Sequence, residues 1–594
     1  MVDYKEVERL ESEFSALREK QLDFSNFLHI AINDDDFHVR MEALHIIESF
    51  FPVISDKQRA YEDLIKRLVS DRGNEIGYRA DNILFDVFSQ VPDKGQALND
   101  FEILATNEDY FIRSSAVSLI ATLFSQLPDK EKAWNILHRL VCDNESLVRW
   151  GFLYHLESMF PHIPDKKQAC EDLHKLTYDE YYNTHPQSGH HFEIRAMAAS
   201  TLGPMFPKLL DKEQAFEDLH RLINDKDNSV RCGVIGSMGF AFPHLPDTFK
   251  QLAWEDIHKL ILDEASDVRG KAAKAIGSAF QYLPDTFKQP AWEDMHKLIL
   301  DETSGVREEA AMAIGSAFQY LPDKQQAWDD LHGLTYDDSD DLESEIWGIT
   351  SAIVSAFPHL PDKQQAWDDL NRFAITEWEV RDCAIEALGS VFVHLPNKAA
   401  LNDLYKLTEY GDEEMDGDIR AYAYYSLGNI SLFNASNCQN ISSYENELEK
   451  AIALFEKSRE EWNYQDEIVF NLCLFRALQA MLFNQPGVKE ELNKNLGCLK
   501  SIIQIRRADE CRKSLFRAIE NLSTAFKQVQ YLENKGFSIA ENEIRFYRKY
   551  FDQAEEFMRN TKEELPFVTE ALRKGMLILD GHLEKKLSKH LLIS

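Results

Sequence analysis

The chain has 594 residues, with 101 Asp and Glu against 65 Lys and Arg, giving a formal net charge of −36. That length exceeds what one hydrophobic core usually serves, so we expect several domains or a repeat array. The acidic excess lies in the first 432 residues, because residues 433–594 hold 24 basic and 24 acidic side chains. Such a field repels phosphate backbones and anionic lipid, which argues against nucleic-acid binding and favours a basic partner.

No apolar segment indicates export or insertion into a membrane. Residues 1–20 have no apolar run behind a basic patch, and no stretch approaches about 18 consecutive apolar residues. The eight cysteines form no C-x-x-C pair, so we expect them to be free thiols. These features predict a cytoplasmic protein without a membrane segment.

A short motif, L-P-D-K or a close variant, recurs along the first 400 residues. Its Asp or Asn stands at positions 56, 93, 129, 165, 211, 247, 285, 323, 362 and 397. A period in the thirties is typical of stacked helix pairs. In each unit the Asp is placed to cap a first helix of the form A-(aromatic)-x-D-L-H-x-L, and the preceding Pro ends the previous helix.

The second helix of each unit opens with V-R in most copies, and an Asp or Asn commonly stands six residues before the Arg. The clearest pairs are Asp143–Arg149, Asp225–Arg231, Asp263–Arg269 and Asp301–Arg307. Eight residues after the Arg, Gly recurs at positions 203, 239, 277, 315, 389 and 428. A mid-helix Gly costs about 1 kcal/mol relative to Ala, so its recurrence predicts the close approach of a neighbouring helix.

This Asp-then-Arg spacing inside a helix pair of this size resembles the HEAT-repeat family. The resemblance implies an all-α fold, an α-solenoid of about eleven helix pairs over residues 25–432, with the Asp and Arg side chains forming a ladder along its spine. Units of the L-P-D-K-x-x-A-W type also resemble those of methanogen HEAT-repeat proteins. The usual period of such repeats is slightly longer, at about 40–47 residues.

We expect a capping helix at residues 1–24, a linker at 433–443 and a helical C-terminal domain at 444–594. The domain could be a bundle, or weakly tetratricopeptide-like from its first segment, YENELEKAIALFEKSREEW, and it could cap the solenoid or mediate self-association. Its helices are predicted at about 444–461, 465–483, 487–504, 506–534, 538–560 and 565–590.

The two central units, residues 247–284 and 285–322, are near copies that differ at 7 of 38 positions. Three changes fall together, since Gly270, Lys271 and Lys274 become Glu308, Glu309 and Met312. A repeat that keeps its packing residues and changes one stripe is typical of a modular binding surface.

The changing positions lie one, two and five residues after the Arg of each second helix. We interpret this stripe as the concave, partner-binding face, with Trp150 and Tyr154 able to stack as an aromatic pair. The other interpretation is that the varied positions are merely solvent-facing. The candidate residues are Trp150, Tyr154, Lys271, Lys274, Glu308, Glu309, Met312, Asp382, Glu386, Tyr422 and Tyr425.

Histidine gives two candidates for chemistry. One His per first helix recurs at 138, 174, 220, 258, 296 and 332, and we expect packing and hydrogen bonding there, because neighbouring repeats are too far apart to share a metal. The insertion at 178–193 places His185, His190 and His191 beside Asp179 and Glu193. These side chains could ligate zinc if the segment folds back on itself, or they could belong to a plain exposed loop.

The sequence therefore predicts a non-enzymatic scaffold that binds a protein or peptide with a basic surface, with no cofactor, no nucleic acid and no membrane. The alternative is an enzyme or accessory factor for protein modification, lyase-like or hydroxylase-like, with its site at the 178–193 loop. Deoxyhypusine hydroxylases of this repeat type bind iron through His-Glu dipeptides, and none of the 19 histidines here precedes a Glu.

Overall fold

A computed structural model of the protein describes residues 29, 32–71, 75–179, 194–335, 342–376, 381–411, 417–462, 466–483, 487–505, 509–535, 541–559, 561 and 565–591. The described residues form 27 α-helices joined by short turns and contain no strand. The fold is an α-solenoid of HEAT-type helix pairs followed by further helices. The chain divides into two compact units, residues 1–313 and 314–594. The predicted capping helix at 1–24 lies outside the described residues.

The repeats alternate between a first helix, called the A helix, and a second, called the B helix. The A helices are α2 Lys57–Ser70, α4 Lys94–Ala105, α6 Lys130–Leu140, α8 Lys166–Leu176, α10 Lys212–Leu222, α12 Asp247–Leu260, α14 Asp285–Leu298, α16 Lys324–Leu334, α18 Lys363–Thr376 and α20 Lys398–Leu407. The B helices are α1 Phe37–Phe50, α3 Glu75–Val87, α5 Tyr110–Thr122, α7 Ser146–Met159, α9 Ile194–Met205, α11 Asn228–Ala241, α13 Ser266–Ala279, α15 Ser304–Ala317, α17 Leu342–Ala356, α19 Arg381–Val391 and α21 Gly417–Asn437.

The A helices begin where the L-P-D-K motif predicts. The Asp165 carboxylate accepts a hydrogen bond from the backbone N–H of Gln168, and Asp211 does the same for Gln214. Such a cap satisfies a backbone donor that the first helical turn leaves without a partner. The aromatic position of the A helix is buried, as Trp328 and Trp367 show with no exposed surface.

Each B helix of the array, from α1 to α19, leads into a one-turn 3₁₀-helix that starts with Phe. These residues are Phe51, Phe88, Phe124, Phe160, Phe206, Phe242, Phe280, Phe318, Phe357 and Phe392, and all are buried. A buried Phe therefore marks each corner where the chain turns from a B helix into the next A helix.

The recurring glycines mark close approaches between neighbouring B helices, as predicted. A Cβ added at Gly203 would lie 2.7 Å from Cα of Ser237, and one at Gly315 would lie 2.6 Å from Cα of Ala352. Both distances are too short for a real contact, so only Gly fits. The prediction is confirmed at Gly203, Gly239, Gly315 and Gly389, and at Gly428 the close neighbour is the Phe455 ring of the helix Ile441–Glu461.

The prediction of a linker at 433–443 is wrong. Helix α21 continues to Asn437, and the next helix begins at Ile441 after a three-residue connection. Residues 433–437 stay helical because Ala435 is buried in the core that α21 shares with the helices that follow. Those helices are α22 Ile441–Glu461, α23 Asp466–Phe483, α24 Val488–Ile505, α25 Glu510–Lys535, α26 Glu541–Arg559 and α27 Pro566–Leu591, close to the six predicted segments.

Candidate partner-binding surface

A ladder of arginines and aspartates joins successive repeats in residues 1–313. In Arg231, Nε lies 2.7 Å from Oδ2 of Asp263 and Nη2 lies 2.7 Å from Oδ1. The same guanidinium donates through Nη1 to the backbone carbonyl of Asp225, six residues earlier, at 2.9 Å. The Arg therefore binds a carbonyl of its own turn and the carboxylate of the next turn. The pairs are Arg40–Asp71, Arg113–Asp143, Arg149–Asp179, Arg195–Asp225, Arg231–Asp263 and Arg269–Asp301.

The electrostatics of the ladder favour ionised pairs. Burial alone would raise the pKa of Asp263, but the Arg231 guanidinium and the Ala265 backbone N–H hold that pKa below its usual value. The Arg269 guanidinium likewise lowers the pKa of Asp301. Arg307 keeps the local contact, donating to the Asp301 carbonyl at 3.0 Å. Because these side chains are occupied with each other, the ladder holds repeats together and is not itself a binding site.

A second ladder, of histidines and aspartates, runs along the A helices. The Nδ1 atom of His220 lies 2.7 Å from Oδ2 of Asp256 in the next A helix, and the carboxylate is buried while the imidazole is half-buried. The pairs are His29–Asp63, His138–Asp172, His174–Asp218, His220–Asp256, His258–Asp294 and His332–Asp369. The expected hydrogen-bonding role is confirmed for His138, His174, His220, His258 and His332, each with an Asp of the next repeat as its partner.

The structure places Trp150 and Tyr154 on α7 as a stacked pair. Their ring centroids lie 5.0 Å apart with an interplanar angle of 21°, and Tyr154 is 59% exposed. Beneath them α7 packs closely on α5, since a Cβ at Gly151 would meet Cγ1 of Val117 at 3.4 Å. The predicted stacking is therefore present, with Tyr154 exposed and Trp150 partly buried.

Three of the residues that differ between the two near-copy units, Lys271, Lys274 and Glu309, lie close together. The Nζ atom of Lys271 on α13 lies 3.6 Å from Oε1 of Glu309 on α15, and that of Lys274 lies 4.0 Å from Oε2. The change from Lys271 in one copy to Glu309 in the next thus places a carboxylate beside the two lysines of the preceding copy. Glu308 and Met312 lie on the same helix as Glu309, within one turn.

Beside this group the N-terminal turns of α11, α13 and α15 line a groove of about 640 Å³. Most of its walls are small residues, among them Ser200, Gly233, Ser266 and Gly305. Its charged side chains are Asp267, Lys271, Glu308 and Glu309, three acidic groups against one basic group. A groove of this size with low walls has room for an extended chain and disfavours an anionic one.

The four remaining candidates lie in the second unit and are not a uniform exposed stripe. Tyr422 and Tyr425 are 8% and 7% exposed, so the prediction that they face a partner is wrong for these two residues. Both lie on α21, whose surface is covered by α22, and the Tyr425 ring packs against Phe455 of that helix. The Tyr422 hydroxyl lies 3.4 Å from Oδ2 of Asp382.

Glu386, one helical turn beyond Asp382, is the remaining candidate. Burial raises its pKa to about 7, and the nearby Glu467 and Asp382 carboxylates add to the shift, while Arg512 opposes it. Arg512 is itself engaged by Glu467, at 2.5 Å, and by Asp509. Asp382 and Glu386 therefore belong to a charged cluster inside the second unit.

The 178–193 insertion lies almost wholly outside the described residues, with His185, His190 and His191 among those not described. Asp179, at its start, is the ladder partner of Arg149, at 2.7 Å. Elsewhere in the described part of the chain, no three His, Cys, Asp or Glu side chains are arranged to hold a metal ion. Within the same residues no helix is long and apolar enough to cross a bilayer.

No protein-family model matches this chain, and no curated protein does. Among solved structures, yeast importin-β (Kap95p) aligns over 95% of this chain and 84% of its own, with 11% identity and a TM-score of 0.53. A complex of Kap95 with Nup1 aligns over 91% and 88% at 12% identity, TM-score 0.47. At these identities the likeness concerns the fold, and its class is the HEAT-type α-solenoid. The resemblance to methanogen proteins stays a prediction.

Proposed function

We propose that this protein is a cytoplasmic, non-enzymatic scaffold that binds an extended, basic segment of a partner protein across the B helices of its first unit. The observation that carries the proposal is the stack of partly buried Trp150 on exposed Tyr154 in α7, at the same register of the B helix as the groove residues of α11, α13 and α15. Stacked, rigid aromatic rings are common anchors in protein interfaces. The binding surface is defined as Trp150, Tyr154 and the groove.

The size of this surface suits an extended peptide. Neighbouring helices pack about 8–10 Å apart, so the four steps from α7 to α15 cover about 32–40 Å. An extended chain advances about 3.3 Å per residue, so a segment of about twelve residues would reach from the aromatic stack to Glu309. The walls between the two ends are low, because the groove there is lined by Ser200, Ser229 and Gly233.

The charge of the partner follows from the field of the first 432 residues, which carry the whole −36. A basic segment would be steered toward this surface, and the association rate would fall as salt screens the field over a Debye length of about 10 Å. Contacts with the aromatic pair would slow dissociation of the complex, because they must be broken before the partner can leave.

The test uses the full chain and a fluorescently labelled peptide of about twelve residues, the length of the surface, with alternating Arg and Ser. The double variant Trp150→Ala with Tyr154→Ala should weaken binding by about tenfold, since truncating an anchor costs about 1–2 kcal/mol, while the melting temperature stays unchanged. Raised salt should slow association.

Two controls accompany this test. Tyr282→Ala removes an aromatic ring that is 42% exposed at the corner after α13, outside the binding surface, and should leave the affinity unchanged. A peptide of alternating Glu and Ser should not bind. If the aromatic double variant binds the Arg–Ser peptide as tightly as the unaltered chain does, the proposed surface is wrong.

A further inference from the structure

Glu309 has hydrogen-bonding capacity that the described residues leave unused. Its Oε2 atom is shielded from solvent and accepts no hydrogen bond from any described residue. The two lysines beside it stand at 3.6 and 4.0 Å, beyond the usual ~2.7–2.9 Å of a charge-assisted hydrogen bond. A shielded carboxylate oxygen without a donor is unfavourable, so the geometry favours a better partner for this group.

The ladder pairs show what a well-matched partner looks like in this fold. Arg231 binds both oxygens of Asp263 at 2.7 Å through two parallel N–H groups. Lys271 and Lys274 cannot do this, because an ammonium group is a point charge on a flexible stem. Their side chains are also 45% and 58% exposed, and exposed pairs of this kind contribute little to stability.

The groove leaves room beside Glu309. A Cβ added at Gly270 would stand 3.7 Å from Cγ of Glu309 and 3.8 Å from the Gly305 carbonyl. Because neither Gly270 nor Gly305 carries a side chain, neither position blocks the carboxylate from the groove once the two lysines move away. In the near-copy unit Glu308 occupies the position of Gly270, so this opening is specific to the α13–α15 step.

We propose, resting on the proposed function, that Glu309 is the subsite for an arginine side chain of the partner and that Lys271 and Lys274 occupy it in the free protein. The incoming guanidinium supplies two N–H donors to the carboxylate and displaces the two ammonium groups into solvent. An arginine is preferred over a lysine, because its planar fork matches both carboxylate oxygens. The lysines therefore compete with the partner for the same group.

The experiment compares affinities for the labelled Arg–Ser peptide of about twelve residues, the length that spans the surface. Lys271→Ala with Lys274→Ala should bind about fivefold to tenfold tighter, because the competing cations are gone. The matched control, Lys167→Ala with Lys288→Ala, removes the same charge from A-helix surfaces outside the groove and should tighten binding less than about twofold, through the long-range field alone.

A second comparison addresses the preference for arginine. Glu309→Gln keeps the side-chain shape but not the charge, and it should weaken the Arg–Ser peptide by about tenfold and a Lys–Ser peptide by less, because the bidentate contact is specific to arginine. Unchanged melting temperatures would show that each variant is folded.

The outcomes separate this subsite from the surface as a whole. If the aromatic double variant weakens binding but the Lys271/Lys274 variant binds no tighter than its charge-matched control, the competition is wrong and the surface stands. Equal losses of both peptides on Glu309→Gln would overturn the arginine preference. If no form of the protein binds the Arg–Ser peptide, the proposed function and the subsite are both wrong.

Discussion

The guanidinium of Arg231 binds the Asp263 carboxylate of the following repeat through two contacts of 2.7 Å, while it also donates to the Asp225 carbonyl of its own repeat. One side chain thereby ties two successive turns. The side chains of the pair are only 9% and 8% exposed, so each charge depends on the other for its compensation. Where this buried pair recurs along the first unit, it makes the junction between two repeats sensitive to a single substitution.

Arg231→Ala should lower the free energy of unfolding of the first unit by about 3–5 kcal/mol, because it leaves the Asp263 carboxylate buried without its cation. The matched control is Arg79→Ala, at the same register, whose ion pair with Glu48 is 32% and 42% exposed. That variant should cost less than about 1 kcal/mol. Urea unfolding measures both, and equal losses would contradict a special role for the buried pair.

The histidine ladder makes a separate prediction. His220→Ala should cost about 1–3 kcal/mol, because the buried Asp256 carboxylate loses its hydrogen-bond donor. Burial already raises the pKa of Asp256, and the hydrogen bond from His220 opposes that rise, so removing it should raise the pKa of Asp256 further. His244→Ala, at an exposed corner position, should leave the unfolding free energy unchanged.

The sequence predicts the helix pairs, their caps and the local half of the Arg contact, because these depend on spacings within one repeat. It does not show that the carboxylate bound by Arg231 comes from the next turn, 32 residues later. That choice is made by the stacking of repeats, which brings Asp263 closer to the guanidinium than the side chain of Asp225. The repeat period alone does not decide whether the Arg pairs with the Asp of its own turn or with the Asp of the next turn.

The predicted partner-binding stripe also shows which contacts the repeat pattern can predict and which it cannot. Tyr422 and Tyr425 follow the repeat register, but α21 is covered by α22, which carries no repeat motif. By contrast, the contact of Lys271 with Glu309 can be predicted from the sequence. A Lys and a Glu at the same register of adjacent copies lie side by side on neighbouring helices. Long side chains bridge that spacing of about 8–10 Å.

Two glycines on neighbouring B helices should respond oppositely to alanine. Gly203→Ala should destabilise the first unit by about 1–3 kcal/mol, because the new Cβ would stand 2.7 Å from Cα of Ser237 and force two backbones apart. Gly236→Ala meets no atom within 4 Å and should stabilise α11 by up to about 1 kcal/mol through helix propensity. Thermal unfolding of both variants checks the pair, and a gain for Gly203→Ala would refute the close approach.

The charged cluster of the second unit should make its stability depend on pH. Glu386 has a pKa raised to about 7 by burial and by the neighbouring Glu467 and Asp382 carboxylates, against the influence of Arg512. In the unfolded chain a glutamate titrates near ~4.3. Between these values the folded state therefore holds a proton that the unfolded state has lost, so the free energy of unfolding falls as pH rises from about 4.5 to about 7 and then levels off.

Glu386→Gln removes this dependence, because the amide is neutral at every pH and keeps the size of the protonated side chain. At pH 8 the variant should be more stable than the unaltered chain by about 2–4 kcal/mol, and at pH 4.5 the two should be nearly equal. Urea unfolding of both forms across this pH range, followed by far-UV circular dichroism, measures the difference. A difference that stays constant with pH would show that Glu386 is ionised in the folded protein throughout.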